Sequence, residues 1–317
     1  MSSRDTPILI LIFNRPHHLE KVIEKLKLIK PSVIYIAGDG PREANKTDLT
    51  NVLETRQKIQ LIDWSCEVKT FFQEKNLGCR SAVTIAIDWF FENVEEGIIL
   101  EDDCIPDPSF FEFANQMLIK YRYDSRLMSI GGQHFAGSKH KIESSYFFSR
   151  HVHCWGWATW KRAWQLNDRN MNAWPNLSKS NWLYKLGGNN LLFERYWTNI
   201  FNDCFNGKID SWAYRWLFSC WAQNGLSILP SVNLVTNIGF GKDSTHTSKG
   251  NSFTENLPLQ KMVFPLKHPT NFIPDFESDK WTDNYVFGIT IWKMLKVRLA
   301  KISLLYWLVK TIKSNVA

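Results

Sequence analysis

The chain has 317 residues, of which 44% are hydrophobic and 22% charged, and this composition is typical of one large α/β domain or two modest ones. Its six cysteines lack CxxC spacing, which argues against a zinc ribbon or a disulfide scaffold and favours a reducing cytoplasm. The net charge of +7 is concentrated near the C-terminus, which disfavours a nucleic-acid-binding protein. No uncharged run reaches the roughly 18 residues that a membrane-spanning helix needs.

The first 105 residues alternate between strand and helix patterns. A continuous apolar run predicts a buried strand over 7–13, and further strands are predicted over 32–40, 66–73 and 97–103. Apolar spacing or charge patterning predicts the intervening helices over 17–29, 44–62 and 81–94. This order predicts an α/β fold with a mostly parallel central sheet, right-handed crossovers and helices on both faces.

Polar residues follow each of these four strands. They are Asn14 and Arg15, Asp39 and Gly40, Gly78 and Arg80, and Glu101, Asp102 and Asp103. Ligands of such sheets bind at the carboxyl ends of the strands, so we expect the four groups to converge on one edge. Together they predict a nucleotide-sized site that contains both cations and acids.

The pattern loosens after residue 105. Asp107 and Pro108 predict the N-cap and first turn of a helix over 107–121. Further predictions are strands at 127–132, 144–150 and 226–241, a Trp-dense turn leading into a helix at 151–164, a helix at 212–225, and mostly loop over 242–284. We divide the chain into a first half (1–125), a second half (126–284) and a C-terminal helix (285–317).

The C-terminal helix is predicted from apolar residues that recur every three or four positions. No acid follows Asp283, whereas six basic residues do. A basic, aromatic-rich amphipathic helix suits an anionic membrane surface, which would make the protein peripheral on the inner face of the membrane. Packing of the apolar stripe on the parent domain or on a second copy is the alternative.

The acidic block "EDD" directly follows an Ile-Ile-Leu run. Side-by-side carboxylates repel one another, and a bound cation relieves this repulsion. Mg²⁺ and Mn²⁺ prefer oxygen ligands and often join one or two carboxylates to a diphosphate. From spacing alone, three uses of the block remain open: metal–diphosphate binding, acid/base catalysis and a solvated turn.

Three segments, "PILILIFNRPHHLEKVIEKL", "GIILEDDCIPDPSFFEF" and "NIGFGKDSTHT", resemble GT-A-type glycosyltransferases. The closest resemblance is to bacterial nucleotide-diphospho-sugar transferases related to N-acetylglucosaminyltransferase I. It covers residues 7–121 well and reappears at 153–164 and 210–247. It implies that 1–125 is the nucleotide-sugar-binding half of one GT-A domain and that 126–284 is its acceptor-binding and catalytic half. It implies a GT-A (Rossmann-like) fold and inverting, metal-dependent transfer of a hexosyl or N-acetylhexosaminyl group. The donor would be a UDP-sugar, and the acceptor a glycan or lipid-linked glycan, as in bacterial surface polysaccharide synthesis.

On this resemblance, Asp103 matches the ligand that holds Mn²⁺ or Mg²⁺ against the donor diphosphate. Asp102 and Glu101 match positions that contact the ribose and the donor sugar. Arg15, next to Asn14, matches a basic residue near the diphosphate. A surface cation is the alternative for Arg15.

Further site residues follow from the same resemblance. Asp39 matches an acid that hydrogen-bonds the uracil, and Arg80 lies in a loop over the nucleotide, with a surface cation again the alternative. His246 matches a late histidine that ligates the metal or contacts phosphate, unless it is simply exposed. "HCWGWATW" matches a segment that lines the donor sugar and acceptor, with Trp155, Gly156 and Trp157 at its centre; one of the two tryptophans is expected in the core.

The catalytic base is predicted at Asp210, near Trp212 and Trp216, with helix capping as its competing role. The family pattern often has an acid just after the first of these tryptophans, where this chain has Ala213. Asp243 is a second candidate, and a catalytically inactive sugar-nucleotide-binding protein is the alternative function. A nucleotidyltransferase is disfavoured because no glycine cluster follows the first strand.

Overall fold

The computed structural model describes residues 3–137, 140, 142–240 and 257–290. Asp243, His246 and all but the first six residues of the predicted helix over 285–317 lie outside these ranges. Within them, no helix is both long enough and apolar enough to cross a membrane.

The first half of the chain forms four parallel strands in the order β3-β2-β1-β4. The strands are β1 (Ile8–Ile12), β2 (Val33–Gly38), β3 (Glu67–Phe72) and β4 (Glu96–Glu101). The helices between them are α1 (Pro16–Ile29), α2 (Asp48–Gln57) and α3 (Cys79–Asn93). Short 3₁₀ turns lie at Ser3–Asp5 and, after α2, at Lys58–Leu61. All five residues of β1 are buried, as its uninterrupted apolar run predicts.

The second half extends the same sheet with strands of both directions. These are β6 (Leu127–Gly131), β7 (Tyr146–Ser149), β8 (Trp157–Trp160) and β9 (Leu226–Pro230). β8 pairs antiparallel with β4, and the order continues β8-β6-β9-β7. β5 (Cys104–Pro106) and β10 (Val235–Asn237) form a separate antiparallel pair. The α/β fold class predicted from the sequence is confirmed.

The remaining helices belong to the second half of the chain. They are α4 (Pro108–Lys120), α5 (Lys161–Trp164), α6 (Trp174–Leu177), α7 (Trp182–Leu186), α8 (Leu191–Phe205), α9 (Trp212–Ala222) and α10 (Phe276–Trp281), the last continued by a π-helical turn, Thr282–Val286. One expectation needs correction, because the residues 157–160, expected in a turn before a helix, form a strand. In the region expected to be mostly loop, the described residues 257–275 contain no helix or strand, and α10 follows them.

Helices cover both faces of the sheet. The chain moves from β1 outward to β2 and β3, then returns to β4, so right-handed crossovers place α1 and α3 on opposite faces. α1 contacts α4 on one face, and α3 contacts α5 and α9 on the other. Asp107 caps α4 as predicted, because its carboxylate accepts the Ser109 N–H at 2.9 Å, and Pro108 occupies the first turn.

A cluster of tryptophans fixes α9 against the sheet. The rings of Trp157 on β8 and Trp212 on α9 stack with centroids 5.7 Å apart. Trp216, one turn later, lies 5.9 Å from Trp157 and 5.1 Å from Trp164 of α5. Trp157 and Trp216 are completely buried. This packing holds the first turn of α9 at the edge of the sheet where β1, β2 and β4 end.

Candidate active site

A cavity of about 640 Å³ opens at the carboxyl ends of β1, β2 and β4. This is the edge at which the chain switches from building outward on one side of β1 to building on the other, the usual ligand position in such sheets. The volume lies in the range of small-molecule sites. The residues predicted for the site that line it are Arg15, Asp39, Glu101, Asp102, Asp103, Trp155 and Asp210.

The acidic block and Arg15 form one hydrogen-bonded cluster in this cavity. Arg15 Nη1 lies 2.8 Å from Asp103 Oδ2 and 3.5 Å from Asp102 Oδ1. The Phe13 N–H donates to Asp102 Oδ2 at 3.2 Å. One guanidinium therefore bridges two neighbouring carboxylates, which offsets part of their mutual repulsion.

Residues 237–239, at and just after the end of β10, complete the surroundings of Asp103. Asn237 Nδ2 donates to Asp103 Oδ1 at 3.0 Å, and the Ile238 N–H donates to the Asp103 carbonyl at 2.9 Å. A Cβ on Gly239 would lie 2.0 Å from Asp103 Oδ2, so only glycine fits there. We did not anticipate Asn237 from the sequence, because the three-residue pairing of β10 with β5 that brings it to Asp103 has no pattern of its own.

The electrostatics of the cluster favour a bound cation. Burial, reinforced by the charges of the neighbouring carboxylates, raises the pKa of Glu101 and of Asp102, while Arg15 opposes the shift.

The same cavity contains Cys79, and burial raises the pKa of its thiol to about 12. Cys79 is therefore a neutral thiol at physiological pH rather than a nucleophile.

Asp39 anchors the loop that leads into α3. Its carboxylate accepts the N–H groups of Gly40 and Leu77 at 2.8 and 2.9 Å. It also accepts the Gly78 N–H at 3.1 Å and Asn76 Nδ2 at 2.8 Å. These four donors match the number of lone-pair sites on a carboxylate. The contact of Asp39 with uracil stays a prediction, and it requires one of these donors to give way.

Asp210 belongs to the wall that the first turn of α9 forms. Ser211 Oγ accepts the Tyr214 N–H at 3.4 Å and is the N-cap, so the capping role considered for Asp210 is wrong. Asp210 Oδ1 lies 3.4 Å from Arg80 Nε at the start of α3. Both side chains are about half exposed, at 51% and 41%. Ala213 lines the same wall, at the position where the family pattern often has an acid.

The segment that carries Asp210 is held by hydrogen bonds from Arg215, a residue that was not predicted from the sequence. Its guanidinium donates from Nη1 to the Ser211 carbonyl at 3.3 Å and from Nη2 to the Cys204 carbonyl at 2.5 Å. Nε donates to the Arg169 carbonyl at 3.0 Å. Arg215 is 4% exposed, and an arginine inside the apolar run "WAYRWLFSCW" was the available signal.

Trp155 is the tryptophan of the "HCWGWATW" segment that reaches the cavity. Its ring meets the Phe240 ring edge-to-face at 5.5 Å. Gly156 has φ of +66°, and a Cβ there would lie 2.8 Å from Val235 Cγ2, so it serves close backbone packing. Trp157 lies in the core cluster described above and not in the cavity wall.

Two other predicted residues lie outside the cavity lining. Asn14 Nδ2 donates to Asp48 Oδ1 at 2.8 Å, which ties the loop after β1 to the start of α2. Arg80 reaches the site through its ion pair with Asp210.

The acid cluster suits a hard divalent cation that a diphosphate helps to hold. Within the described ranges, no three His, Cys, Asp or Glu side chains converge as a complete metal site. Mg²⁺ and Mn²⁺ at diphosphates use one or two protein carboxylates and complete their shell with phosphate oxygens and water. Asp102 and Asp103 supply two such carboxylates, and the Arg15 guanidinium already lies between them as a cation.

No protein-family model matches the chain, and no curated protein matches it. HddC from Yersinia pseudotuberculosis, solved with GMP-PN, is similar at 14% identity and a TM-score of 0.30, over 50% of this chain and 77% of HddC. The mannosyltransferase PcManGT from Pyrobaculum calidifontis, solved with GDP-Man and Mn²⁺, is similar at 12% identity and a TM-score of 0.34, over 52% and 46% of the two chains. A UDP-glucose pyrophosphorylase solved with UDP-glucose is similar at 13% identity and a TM-score of 0.28, over 47% and 64%.

Proposed function

We propose that this chain is a metal-dependent, inverting glycosyltransferase that moves a sugar from a UDP-sugar to a glycan or lipid-linked glycan. The main support is the joint placement of Asp102, Asp103 and Arg15 in a cavity of about 640 Å³ at the carboxyl ends of the strands. The same cavity has Asp210 in its wall. Such a site combines a cation-binding cluster with a carboxylate that solvent can reach.

Each part of the donor has a candidate partner in the cavity. Asp103, with Asp102 beside it, would hold Mn²⁺ or Mg²⁺, and the ion when bound supplies positive charge to the leaving diphosphate. Arg15 is close enough to share the diphosphate. Trp155 offers an aromatic face for a sugar ring.

The reaction needs a base for the acceptor hydroxyl. Asp210 accepts this proton as the hydroxyl oxygen attacks C1 of the donor sugar. The bond from C1 to the diphosphate oxygen breaks, and UDP leaves with the bonding electron pair. A single displacement of this kind inverts the configuration at C1. The half-exposed carboxylate of Asp210 is accessible to an acceptor that enters from solvent.

The test combines binding with turnover. We expect UDP to bind in calorimetry in the presence of Mn²⁺, and one nucleotide sugar of a panel to be hydrolysed or transferred in a metal-dependent manner. UDP binding without any turnover would instead support the sugar-nucleotide-binding alternative. Failure of UDP to bind, together with no release from any donor, would contradict the proposal.

The membrane contact of residues 285–317 is a separate part of the proposal. It rests on the basic charge of this segment and on its apolar spacing. We expect deletion of 285–317 to abolish sedimentation with anionic phosphatidylserine vesicles. Unchanged sedimentation would exclude this contact.

A further inference from the structure

We propose that Arg15 competes with the metal in the donor-free protein and thereby makes tight metal binding depend on the donor diphosphate. The inference rests on the proposed function for the class of ligand. It concerns the order and coupling of the two binding events, which the function alone does not define.

The first support is the position of the guanidinium. Arg15 Nη1 lies 2.8 Å from Asp103 Oδ2 and 3.5 Å from Asp102 Oδ1, between the two carboxylates that would hold the cation. The side chains of Arg15, Asp102 and Asp103 are only 14%, 8% and 11% exposed. Solvent therefore screens the charges in this cluster weakly.

The second support is the lack of room elsewhere around Asp103. Asn237 donates to Oδ1, and the backbone of Gly239 lies against Oδ2 so closely that a Cβ would be 2.0 Å away. A cation that approaches Asp103 Oδ2 from the cavity therefore meets the Arg15 guanidinium. The guanidinium and a metal ion repel each other strongly when both contact the same carboxylate with no water between them.

The third support is the fixed backbone of Arg15. It is the residue before α1, and its carbonyl accepts the N–H groups of His18 and Leu19 at 3.1 and 3.2 Å. The backbone cannot retreat without loss of the first turn of α1. Only the side chain can leave Asp103, and it needs another anion to move to.

The donor diphosphate is the anion that resolves this competition. It adds negative charge beside the cluster and presents oxygens that a guanidinium can bind in bidentate fashion. With Arg15 on the diphosphate, Asp103 is available to the metal. Each ligand then raises the affinity for the other, and thermodynamic linkage makes the two effects equal.

The test measures Mn²⁺ affinity from the electron paramagnetic resonance signal of the free ion, with and without UDP. Arg15→Gln keeps an N–H donor but removes the charge. We expect this variant to bind Mn²⁺ alone about tenfold more tightly than the wild type, a coupling of ordinary allosteric size. The factor by which UDP raises Mn²⁺ affinity should shrink by about the same tenfold.

Two further variants isolate the charge from the shape of the side chain. Arg15→Lys keeps the charge and should bind Mn²⁺ alone as weakly as the wild type; it also serves if Arg15→Gln does not fold. Lys27→Met removes a cation that lies about three turns further along α1 and pairs with Asp63. It should leave the affinity for Mn²⁺ alone within about twofold, since an exposed pair contributes little.

The outcomes separate this inference from the proposed function. Wild-type protein that binds UDP with Mn²⁺, together with an Arg15→Gln variant that binds Mn²⁺ alone no more tightly, would overturn the inference and leave the function intact. Tight Mn²⁺ binding by Arg15→Lys would equally overturn it. Wild-type protein that binds neither UDP nor Mn²⁺ under any condition would refute the function itself.

Discussion

The cavity has two walls that are built in different ways. The acidic wall grows from the ends of buried strands, and its side chains are only 8 to 14% exposed. The other wall comes from the first turns of α3 and α9, where Arg80 and Asp210 are 41% and 51% exposed. The first wall is held by sheet register and several hydrogen bonds, whereas the second depends on a cap, one ion pair and a buried arginine.

The two walls therefore differ in how far their side chains can move during the proposed reaction. Register between β1 and β4 places Leu11 opposite Glu101, so the acidic block cannot shift without slippage of the sheet. Asp210 precedes a helix and can adjust by rotation of a few bonds. We therefore expect the side chains that bind the donor to be held rigidly. The side chains that contact the acceptor should tolerate small shifts in position.

The largest effect is expected at the acidic wall. Asp103→Asn keeps the shape of the side chain but removes the charge. The affinity for Mn²⁺ with UDP should fall by at least about 100-fold, because loss of a residue that only supports a metal ligand already costs up to about that much. Calorimetry with UDP and Mn²⁺ measures this. Asp107→Asn is the matched control: it lies in the same segment, and asparagine is an equally good N-cap. Equal affinity in Asp103→Asn and wild type would contradict the metal assignment.

The next effect concerns the other wall. Asp210→Asn should lower the transfer rate by about 10²- to 10⁴-fold, the usual contribution of a general base, with UDP affinity unchanged. Steady-state kinetics with saturating donor separate these quantities. Asp203→Asn, which changes a similarly exposed acid paired with Lys208, should retain activity. If both variants keep their rates, the base lies elsewhere.

Substitution of the buried Arg215 can separate an effect on the position of Asp210 from an effect on the stability of the fold. Arg215→Met removes three hydrogen bonds to main-chain carbonyls and should lower the free energy of unfolding by about 2 kcal/mol. Arg162→Met is the matched control, because Arg162 also donates to three main-chain carbonyls, of Tyr121, Arg122 and Leu127. Arg162 does not line the cavity.

Both variants should therefore lose similar stability in denaturant titrations. Only Arg215→Met should lower kcat at a temperature where both variants are folded, and this loss should vanish in an Asp210→Asn background. Parallel losses of kcat in the two variants would show that Arg215 acts through stability alone.

The smallest effect is expected at the exposed ion pair. Arg80→Met removes a partner of Asp210, and exposed pairs contribute at most about 1 kcal/mol. We expect kcat to change by no more than about fivefold. A larger change would show that Arg80 contacts the donor directly, as the family resemblance suggests, and the KM for the donor would then rise as well.

The elements that could be predicted from the sequence lie mainly in the first half of the chain, which forms the acidic wall. Most strands and helices up to residue 121 could be placed because β1, β2 and β4 contain apolar runs and each crossover helix is bounded by polar turns. The convergence of Arg15 and Asp103 follows from the rule for strand ends and is confirmed by their contact.

In the second half, β6, β7, β9 and α9 lie within the predicted strands and helix, whereas other elements escaped prediction. Two of them did so for physical reasons. β8, "WATW", is buried on both faces and too short to show alternation, so nothing in its residues indicates a strand. The pairings of β4 with β8 and of β5 with β10 join residues far apart in the chain, which local patterns cannot reveal. α8 differs, since Phe193, Trp197, Phe201 and Cys204 do recur at helical spacing after the Asn190 cap, and this signal was overlooked.

The capping of α9 by Ser211 has a consequence for how such a site can change over generations. The N-cap of α9 is Ser211 and not the neighbouring Asp210. A substitution at position 210 therefore removes no N-cap hydrogen bond. Position 213 lies on the same cavity wall, almost one helical turn further along. An acid gained at position 213 could thus replace the one at position 210. The proposed catalytic base could then move along the start of α9 during evolution without loss of the helix cap.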